Sequence, residues 1–226
     1  MSATRALIHE SVSVGSFQCN CHVLADERTK EAVIIDPGDE PDEILAIVKD
    51  LGVTVKALLH THCHLDHITG TRAVKEKTGA SIHIHERDRN LYEGLKQQYA
   101  SVLAMFGFDL GRGNEPLPVD GYLKDGQVFT FGAQSIGVIH TPGHTPGSCC
   151  FTLDGVRDRM VFSGDTLFAG SIGRTDLPGG SLDTEVASIR AKLFTLDPDT
   201  RVLPGHGPET RIREEKAENP FCGDGA

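Results

Sequence analysis

Three histidines and an aspartate lie within six consecutive positions of the sequence, directly after a short apolar segment. They are His62, His64, Asp66 and His67 in the run His-Cys-His-Leu-Asp-His. Imidazole nitrogens and carboxylate oxygens suit zinc, iron or manganese better than calcium or magnesium. The spacing differs from that of the helical H-E-x-x-H motif, so we predict a loop after a strand that turns these side chains toward one point. Cys63, inside the run, is predicted to be a packing residue.

Three further residues of ligand type each lie in a glycine-rich turn later in the chain. His144 lies in Thr-Pro-Gly-His-Thr-Pro-Gly, Asp165 in Ser-Gly-Asp-Thr and His206 in Pro-Gly-His-Gly-Pro. Glycine beside a ligand lets the backbone pass close to an ion. With the residues at 62–67, they supply enough ligands for two divalent metal ions. A carboxylate is the natural bridge between two cations about 3.5–4 Å apart.

The ligand residues follow predicted strands, and helices alternate with strands in the first third of the chain. Apolar spacing predicts a helix over 41–51 that ends at Gly52, and a second helix over 70–77. The predicted strands are 18–25, 32–36, 55–59, 81–85, 128–131, 135–140, 148–153, 159–163 and 202–203. Two groups of strands with intervening helices predict two sheets packed together, with helices outside.

A helix is also predicted over 182–194, and the segment 86–125 is predicted to lie over the rest of a single domain spanning 1–226. The apolar face of the predicted helix consists of Leu182, Val186, Ile189 and Leu193, and Arg190 is expected to point outward. The segment 86–125 begins with a helical pattern. Its aromatic residues are candidates to wall a cleft: Tyr92, Tyr99, Phe106 and Phe108.

Composition and charge exclude several classes of partner. The chain has 226 residues and a net charge of −10, and its lysines and arginines form no basic block. Nucleic acid and anionic membranes are therefore not expected as partners. The sequence contains no apolar run of about 18 residues and no signal peptide, so its six cysteines are expected to be reduced thiols of a cytoplasmic protein.

Six of the eleven histidines lie outside the ligand motifs. His83 and His85 alternate on a predicted strand, but no neighbouring motif supplies a third ligand. We therefore predict that all six are structural or exposed to solvent: His9, His22, His60, His83, His85 and His140.

The order of these motifs resembles that of the metallo-β-lactamase superfamily, and within it the glyoxalase II-like hydroxyacylglutathione hydrolases. The family pattern T-H-x-H-x-D-H, followed by a lone histidine, an aspartate and a final histidine, is matched from Thr61 to His206. The resemblance implies a four-layer αββα sandwich of the α/β class. It also implies that one ion takes His62, His64 and His144, that the second takes Asp66, His67 and His206, and that Asp165 bridges them.

The resemblance implies hydrolysis of S-lactoylglutathione or a related 2-hydroxyacyl thioester by a metal-bridging hydroxide. The implied cofactors are two divalent ions, zinc, iron or manganese. The partner is a small-molecule thioester, glutathione-linked or smaller. Asp66 is expected to hold the proton of the hydroxide, and Arg174, nine residues after Asp165, to contact the substrate near the scissile carbonyl.

The end of the sequence departs from that of full-length glyoxalase II. Twenty residues follow His206, and they include Asn219-Pro220-Phe221. This length leaves no room for the separate helical domain that contributes glutathione contacts in that family. The chain therefore resembles a short, single-domain subgroup, which also carries a segment similar to Met105-Phe106-Gly107.

Other functions of the superfamily remain alternatives. A persulfide dioxygenase would use one iron held by His62, His144 and Asp165, with open positions for oxygen. Two strings resemble that family, His67-Ile68-Thr69-Gly70 and Gly173-Arg174-Thr175-Asp176. A lactonase, a β-lactamase and a non-enzymatic metal protein are further alternatives. Asp165 disfavours a β-lactamase, because those enzymes use cysteine or another ligand there, and the Pro-Gly-His-Gly-Pro ending favours the hydrolase.

Overall fold

A computed structural model of the protein describes residues 6–107, 115–153 and 159–226. The first of its two large sheets comes from the first half of the chain, and its neighbouring strands follow chain order. They are β1 (Leu7–Val14), β2 (Cys19–Asp26), β3 (Glu31–Ile35), β4 (Thr54–Leu59), β5 (Ser81–His85) and β6 (Gly121–Leu123). The pairs β1–β2 and β2–β3 are antiparallel, whereas β3 through β6 run parallel.

The second sheet comes from the second half of the chain and also has six strands. They are β7 (Val128–Phe131), β8 (Gln134–His140), β9 (Cys149–Leu153), β10 (Met160–Gly164), β13 (Arg201–Pro204) and β14 (Thr210–Arg211). A small hairpin, β11 (Leu167–Phe168) and β12 (Ser171–Ile172), follows β10. The pair β10–β13 is parallel, and the other neighbouring pairs are antiparallel.

Helices cover the outer faces of the sheets. They are α1 (Pro41–Leu51), α2 (Leu65–Ile68), α3 (Thr71–Thr78), α4 (Arg89–Glu93), α5 (Leu95–Phe106), α6 (Leu182–Ser188) and α7 (Ile212–Glu218). A short 3₁₀ turn, Glu86–Asp88, precedes α4, and α6 continues as a π-helical turn over Ile189–Leu193.

Three apolar clusters confirm the predicted four-layer αββα sandwich. The central cluster lies between the sheets and includes Ile35 of β3 and Phe162 of β10. Their neighbours Ile34 and Val161 point the other way, into clusters that the outer helices cover. This alternation is expected of strands buried on both faces, because successive side chains point to opposite sides of a sheet.

The predicted strands and the first two predicted helices agree with the structure to within one residue at each end. Helix α1 has the predicted bounds, and Gly52 ends it in the left-handed conformation (φ 62°). The segment 86–125 begins helically, as predicted, and α4 and α5 lie over the first sheet. Sequence reasoning did not find β1, β6, the hairpin β11–β12, β14, α2 or α7.

The predicted helix over 182–194 is correct in extent but partly wrong about its faces. Val186, Ile189 and Leu193 pack against the second sheet, whereas Leu182 is 51% exposed. Arg190 is exposed, as predicted, and its guanidinium also donates hydrogen bonds to the backbone oxygens of Cys222 and Gly223. The end of the chain folds back onto this helix, which helical periodicity alone does not reveal.

The six cysteines are buried and unpaired in the structure. Among the described residues, no helix combines the length and the hydropathy needed to cross a bilayer.

Candidate metal centre

The candidate ligands lie where strands of both sheets end at a common edge. His62 follows β4, His144 follows β8, Asp165 follows β10 and His206 follows β13. The carboxyl ends of β10 and β13 coincide because these strands are parallel, and β8 has the same direction as β10 because each is antiparallel to β9. Strand ends of fixed register are rigid supports for loops that carry chemistry.

The first group of ligand atoms comes from two loops of different sheets. His144 Nε2 lies 2.8 Å from His64 Nδ1 and 3.2 Å from His62 Nε2, and the three rings form one candidate metal group. Ligand nitrogens at ordinary zinc–nitrogen bond lengths in a tetrahedral site are about 3.3 Å apart. These three nitrogens therefore have the spacing of ligands around one ion.

The second group also joins the two sheets. His206 Nε2 lies 3.3 Å from His67 Nε2 and 3.2 Å from Asp66 Oδ2, and the three residues form another candidate metal group. Asp66 and His67 lie in the single turn of α2, so they are presented from the loop that also carries His62 and His64.

Asp165 lies between the two groups, as predicted for a bridging carboxylate. Its Oδ2 is 3.6 Å from His144 Nε2, whereas its Oδ1 is 3.4 Å from His67 Nε2 and 3.6 Å from His206 Nε2. In the described part of the chain, the buried Oδ1 has no hydrogen-bond partner. A buried carboxylate oxygen without a donor costs free energy, and a metal ion between Oδ1 and these rings would remove that cost.

The outer ring nitrogens fix the tautomers of four histidines. Nδ1 of His144 donates to the Arg174 carbonyl (2.7 Å), and Nδ1 of His206 donates to the Gln18 carbonyl (3.2 Å). In the same way, Nδ1 of His67 donates to Asp36, and Nδ1 of His62 is 3.1 Å from the Thr61 hydroxyl. In the neutral form of each ring, Nε2 therefore directs a lone pair inward, which is the state that binds a metal.

Asp36 is a functional residue that sequence reasoning missed. Its buried carboxylate accepts hydrogen bonds from His67 Nδ1 (2.9 Å), Thr61 N (2.8 Å) and the Thr61 hydroxyl (2.6 Å). The backbone of Asp36 has φ 49°, an unfavourable left-handed conformation for this residue type. The available signal is an aspartate at the end of a buried strand, directly before Pro37 and Gly38.

Both candidate carboxylate ligands are ionised. Burial acts to raise the pKa of Asp165, but His67 and His144 hold that pKa well below its usual range. Burial likewise acts to raise the pKa of Asp66, while His67 and His206 lower it overall. Anionic carboxylates are the form that binds metal ions.

The electrostatics of the histidines also fit bound cations. Burial, with the neighbouring His67, lowers the pKa of His62 well below its usual value, and burial with His144 lowers the pKa of His64 to about 3. These rings are neutral at pH 7. Burial acts to lower the pKa of His67 too, but Cys19 and the surrounding carboxylates raise it well above normal. Its surroundings favour positive charge, which divalent ions would supply.

Glycines let the backbone approach the ligands closely, as predicted. A methyl group at Gly205 would overlap Asp165 Oδ1 and lie 2.7 Å from His67 Cε1. A methyl group at Gly173 would overlap the Asp165 backbone oxygen and lie 2.9 Å from His144 Nδ1. The site has no room for a side chain at either position.

A cleft of about 660 Å³ opens beside the ligands, between α4, α5 and the loop that contains Arg174. Its polar lining includes Asn90, Gln97, Gln98 and Ser101, and its apolar lining includes Phe17, Leu65, Leu91, Val102, Met105, Leu177 and Pro178. His64, Asp66, His144 and Asp165 form its floor. The cleft therefore gives a small molecule access to both ligand groups.

The candidate substrate contact Arg174 lines this cleft, but its side chain already has a partner. The guanidinium donates two hydrogen bonds to Asp176, at 2.8 and 2.9 Å, and it is more than half exposed. Of the predicted aromatic wall, Tyr92 is buried in the core and donates to the Leu117 backbone oxygen, and Tyr99 donates to Thr69. Phe108 lies outside the described residues.

The terminal Asn-Pro-Phe motif supports the segment after Asp165. The Asn219 side chain is buried and donates to the Ser171 backbone oxygen (3.0 Å), and Glu215 accepts from Gly170 N (3.0 Å). Both bonds hold the hairpin β11–β12, which leads to the Arg174 carbonyl that accepts from His144.

The six remaining histidines take no part in a candidate metal group within the described ranges. Several nevertheless have partners. His60 is buried and contacts the His83 backbone oxygen and the Thr71 hydroxyl, His9 and His22 lie 3.2 Å apart, and His85 stacks on His140 with ring centroids 4.0 Å apart. The structural interpretation of these residues agrees with these contacts.

Comparison with known families identifies the class of protein. The model of the Metallo-beta-lactamase superfamily matches residues 14–206. The chain therefore belongs to the metallo-β-lactamase superfamily.

One similar protein and three similar solved structures carry different names. The hydroxyacylglutathione hydrolase GloC of Haemophilus influenzae is 37% identical over 213 residues, 94% of this chain and 96% of that protein. The BLEG-1 B3 metallo-beta-lactamase structure has a TM-score of 0.84 and 35% identity, and the match covers 95% of this chain and 99% of that chain. For the di-iron-bound form of TTHA1623 the TM-score is 0.80 and the identity 38%, over 94% and 99%. For ETHE1 from Myxococcus xanthus the TM-score is 0.76 and the identity 29%, over 95% and 84%.

Proposed function

We propose that this protein is a metal-dependent hydrolase of the glyoxalase II type, which cleaves S-lactoylglutathione or related 2-hydroxyacyl thioesters. The observation that carries the proposal is the position of Asp165, whose two oxygens face separate groups of histidines. The first ion would be held by His62, His64 and His144, the second by Asp66, His67 and His206, and Asp165 would bridge them. Two such ions would lower the pKa of a water at the site to about 7 and stabilise negative charge on a carbonyl oxygen.

The donor set suits zinc, iron and manganese alike, because nitrogen and carboxylate ligands discriminate poorly among these ions. The similar protein TTHA1623 has been crystallised in a di-iron-bound form. Analysis of the bound metal should therefore test for iron as well as zinc and manganese.

Asp66 is the candidate proton acceptor. Its carboxylate lines the cleft and is partly exposed, whereas Asp165 is more deeply enclosed. His67 and His206 keep Asp66 anionic, as described above, so one of its oxygens can accept a proton from an attacking water. A thiolate is a good leaving group, so departure of the thiol needs no strong general acid.

The cleft supports a substrate with one arm reaching α5 and a carbonyl at the ligands. Leu65, Leu91 and Val102 give one part of the cleft an apolar surface, and Gln97 and Gln98 offer neutral hydrogen-bonding groups. Arg174 would have to leave Asp176 to contact an anionic substrate. The resemblance to GloC over nearly the whole chain supports a hydroxyacylglutathione as the substrate to test first.

The second candidate is a persulfide dioxygenase with one iron, held by His62, His144 and Asp165. This candidate is favoured by two strings of the sequence that resemble that family, His67 to Gly70 and Gly173 to Asp176. It would leave Asp66, His67 and His206 without a catalytic task, although their ligand atoms converge as closely as those of the first group. The complete second group therefore favours the hydrolase.

Metal analysis with paired assays separates the two functions. The hydrolase should hold close to two equivalents of zinc, iron or manganese and should hydrolyse S-lactoylglutathione. His206→Ala should then lose about one equivalent and most of the hydrolysis. A single tightly bound iron, with oxygen uptake on glutathione persulfide that survives in His206→Ala, would overturn the proposal in favour of the dioxygenase.

A further inference from the structure

Asp88 is a buried carboxylate that contacts both loops of the first ligand group. It lies in the 3₁₀ turn after β5, and its side chain is 1% exposed. Asp88 Oδ2 accepts hydrogen bonds from Cys63 N (3.1 Å) and the Thr145 hydroxyl (2.8 Å), and Oδ1 accepts from Gly147 N (2.7 Å). Neither the sequence motifs nor the proposed chemistry assigns it a task.

The positions of these three donors relate Asp88 to the metal ligands. Cys63 lies between His62 and His64, and Thr145 directly follows His144. The first two ligands belong to the first sheet and the third to the second sheet. One carboxylate therefore connects the two loops whose ring nitrogens must converge to within 2.8–3.2 Å.

Further hydrogen bonds fix the orientation of the backbone at Cys63 and Thr145. The Gln98 side chain donates to the Cys63 backbone oxygen (2.9 Å), so the Cys63 residue is held through both its N–H and its carbonyl. On the other loop, the Ser148 hydroxyl accepts from Thr145 N (3.0 Å). A methyl group at Gly147 would lie 2.8 Å from Asp88 Cβ, so the loop packs directly on this side chain.

The second ligand group has different supports. His67 is oriented by Asp36, and His206 by the Gln18 carbonyl. None of the hydrogen bonds of Asp88 described above reaches Asp66, His67 or His206. Loss of Asp88 should therefore affect the two ion sites unequally.

We propose that Asp88 is a positioning residue that sets His144 against His62 and His64, and so determines the affinity of the first metal site selectively. This inference rests on the assignment of the seven side chains to two ions, which is part of the proposed function. Groups that orient metal ligands commonly change metal affinity by ten- to a hundredfold when they are replaced.

Asp88→Asn is the sharpest test, because asparagine has the same shape but one acceptor oxygen. Each carboxylate oxygen of Asp88 accepts from a backbone N–H, so the asparagine NH₂ must face one of these donors. Metal-loaded protein is incubated with increasing chelator, and the metal left per chain is measured. The variant should release one equivalent at ten- to a hundredfold lower chelator than wild type and retain the other.

Two backgrounds identify which site has changed. In His206→Ala, where only the first group is complete, Asp88→Asn should remove most of the remaining metal. In His144→Ala, it should change the affinity of the remaining site by less than about threefold, well below the change typical of lost orienting groups. Thr145→Val removes one of the three hydrogen bonds and keeps the carboxylate, so it provides a milder test should Asp88→Asn fail to fold. It should also weaken the first site more than the second.

Asp42→Asn is the matched control, since it makes the same change at an exposed position of α1 and should leave the chelator profile unchanged. Equal weakening of both sites, or an unchanged profile in both Asp88→Asn and Thr145→Val, would overturn the role of Asp88. A wild-type protein that binds fewer than two ions would instead contradict the proposed function, so the two failures are distinguishable.

Discussion

Replacement of Gly205 by alanine should displace the carboxylate of Asp165, the proposed bridge, without replacing a candidate ligand. Gly205 follows β13 and has no positive φ, so its backbone accepts an alanine without strain. The added methyl group would overlap Asp165 Oδ1 and lie 2.7 Å from His67 Cε1, against an ordinary contact of about 3.4 Å or more. The carboxylate and the ring must therefore move apart by roughly 0.7 Å or more in a densely packed site.

A displacement of this size exceeds what a metal site tolerates. Ligand distances in such sites vary by about 0.2 Å, and a misplacement of about 1 Å costs on the order of a hundredfold in catalytic rate. Gly205→Ala should lose at least one equivalent of metal and lower kcat/KM for S-lactoylglutathione about a hundredfold.

The control is Gly207→Ala, two residues further on. A methyl group there meets open space, and the residue has φ 74°, so the variant should lose about 1 kcal/mol of folding free energy to backbone strain and keep both ions. Metal content is measured by elemental analysis and stability by denaturant unfolding. Full metal content and normal turnover in Gly205→Ala would refute the placement of Asp165 beside Gly205.

The remaining predictions concern the bridge, the substrate, pH and metal removal. Asp165→Ala should lose metal and most hydrolysis. Arg174→Ala should lose less of both, because Arg174 contacts His144 through its backbone oxygen, which alanine retains. Equal kinetic losses and equal metal contents in the two variants would contradict this order. S-lactoylglutathione should show a high KM and only a modest preference in kcat/KM over a truncated lactoyl thioester. The reason is that Arg174 is the one cationic residue among the described residues that line the cleft. A loss of kcat/KM by several orders of magnitude on truncation would disprove this prediction. Burial, with His9, lowers the pKa of His22 to about 3, so below pH 6.5 the unfolded chain binds a proton at this residue that the folded chain does not. His22 should therefore lower the free energy of unfolding by about 2 kcal/mol between pH 7 and pH 5. His22→Phe should remove this part of the pH dependence measured by denaturant unfolding, and an unchanged pH dependence would count against the prediction. Chelation should lower the melting temperature by about 10 °C, since a ligand at a thousand times its Kd stabilises by about 4 kcal/mol; identical melting curves with and without chelator would argue against bound ions.

The candidate ligands were predictable because their signal is local in sequence. His62, His64, Asp66 and His67 are close together along the chain, and His144 and His206 each lie in a short turn with glycine on at least one side. Each group follows a strand whose apolar residues mark its end. Residue type, spacing and the adjacent strand can all be recognised from the sequence alone.

The supporting residues were not predictable, because their partners are distant in sequence. Asp36 contacts His67 across 31 positions, and Asp88 contacts Gly147 across 59. A lone aspartate after a strand is usually a turn residue. Nothing in the neighbouring sequence distinguishes such a residue from an aspartate that supports a candidate ligand. The missed strand β1 has a different cause, since LIHESVSV mixes exposed and partly buried positions at a sheet edge and lacks regular alternation.

The shared edge of the two sheets explains why polar tethers accompany the apolar core there. Apolar burial favours contact between the sheets but has no preferred direction, so by itself it does not fix their relative position to a fraction of an ångström. Hydrogen bonds do, because they depend on distance and angle. At this edge Cys149 N donates to the Thr61 backbone oxygen (2.7 Å), Asn20 N donates to the Gly205 backbone oxygen (2.7 Å), and Asp88 accepts from Gly147 N. Each bond joins residues of opposite sheets beside a candidate ligand. The core thus brings the two halves of the chain together, and these bonds set the separation at which their ligand atoms can share an ion.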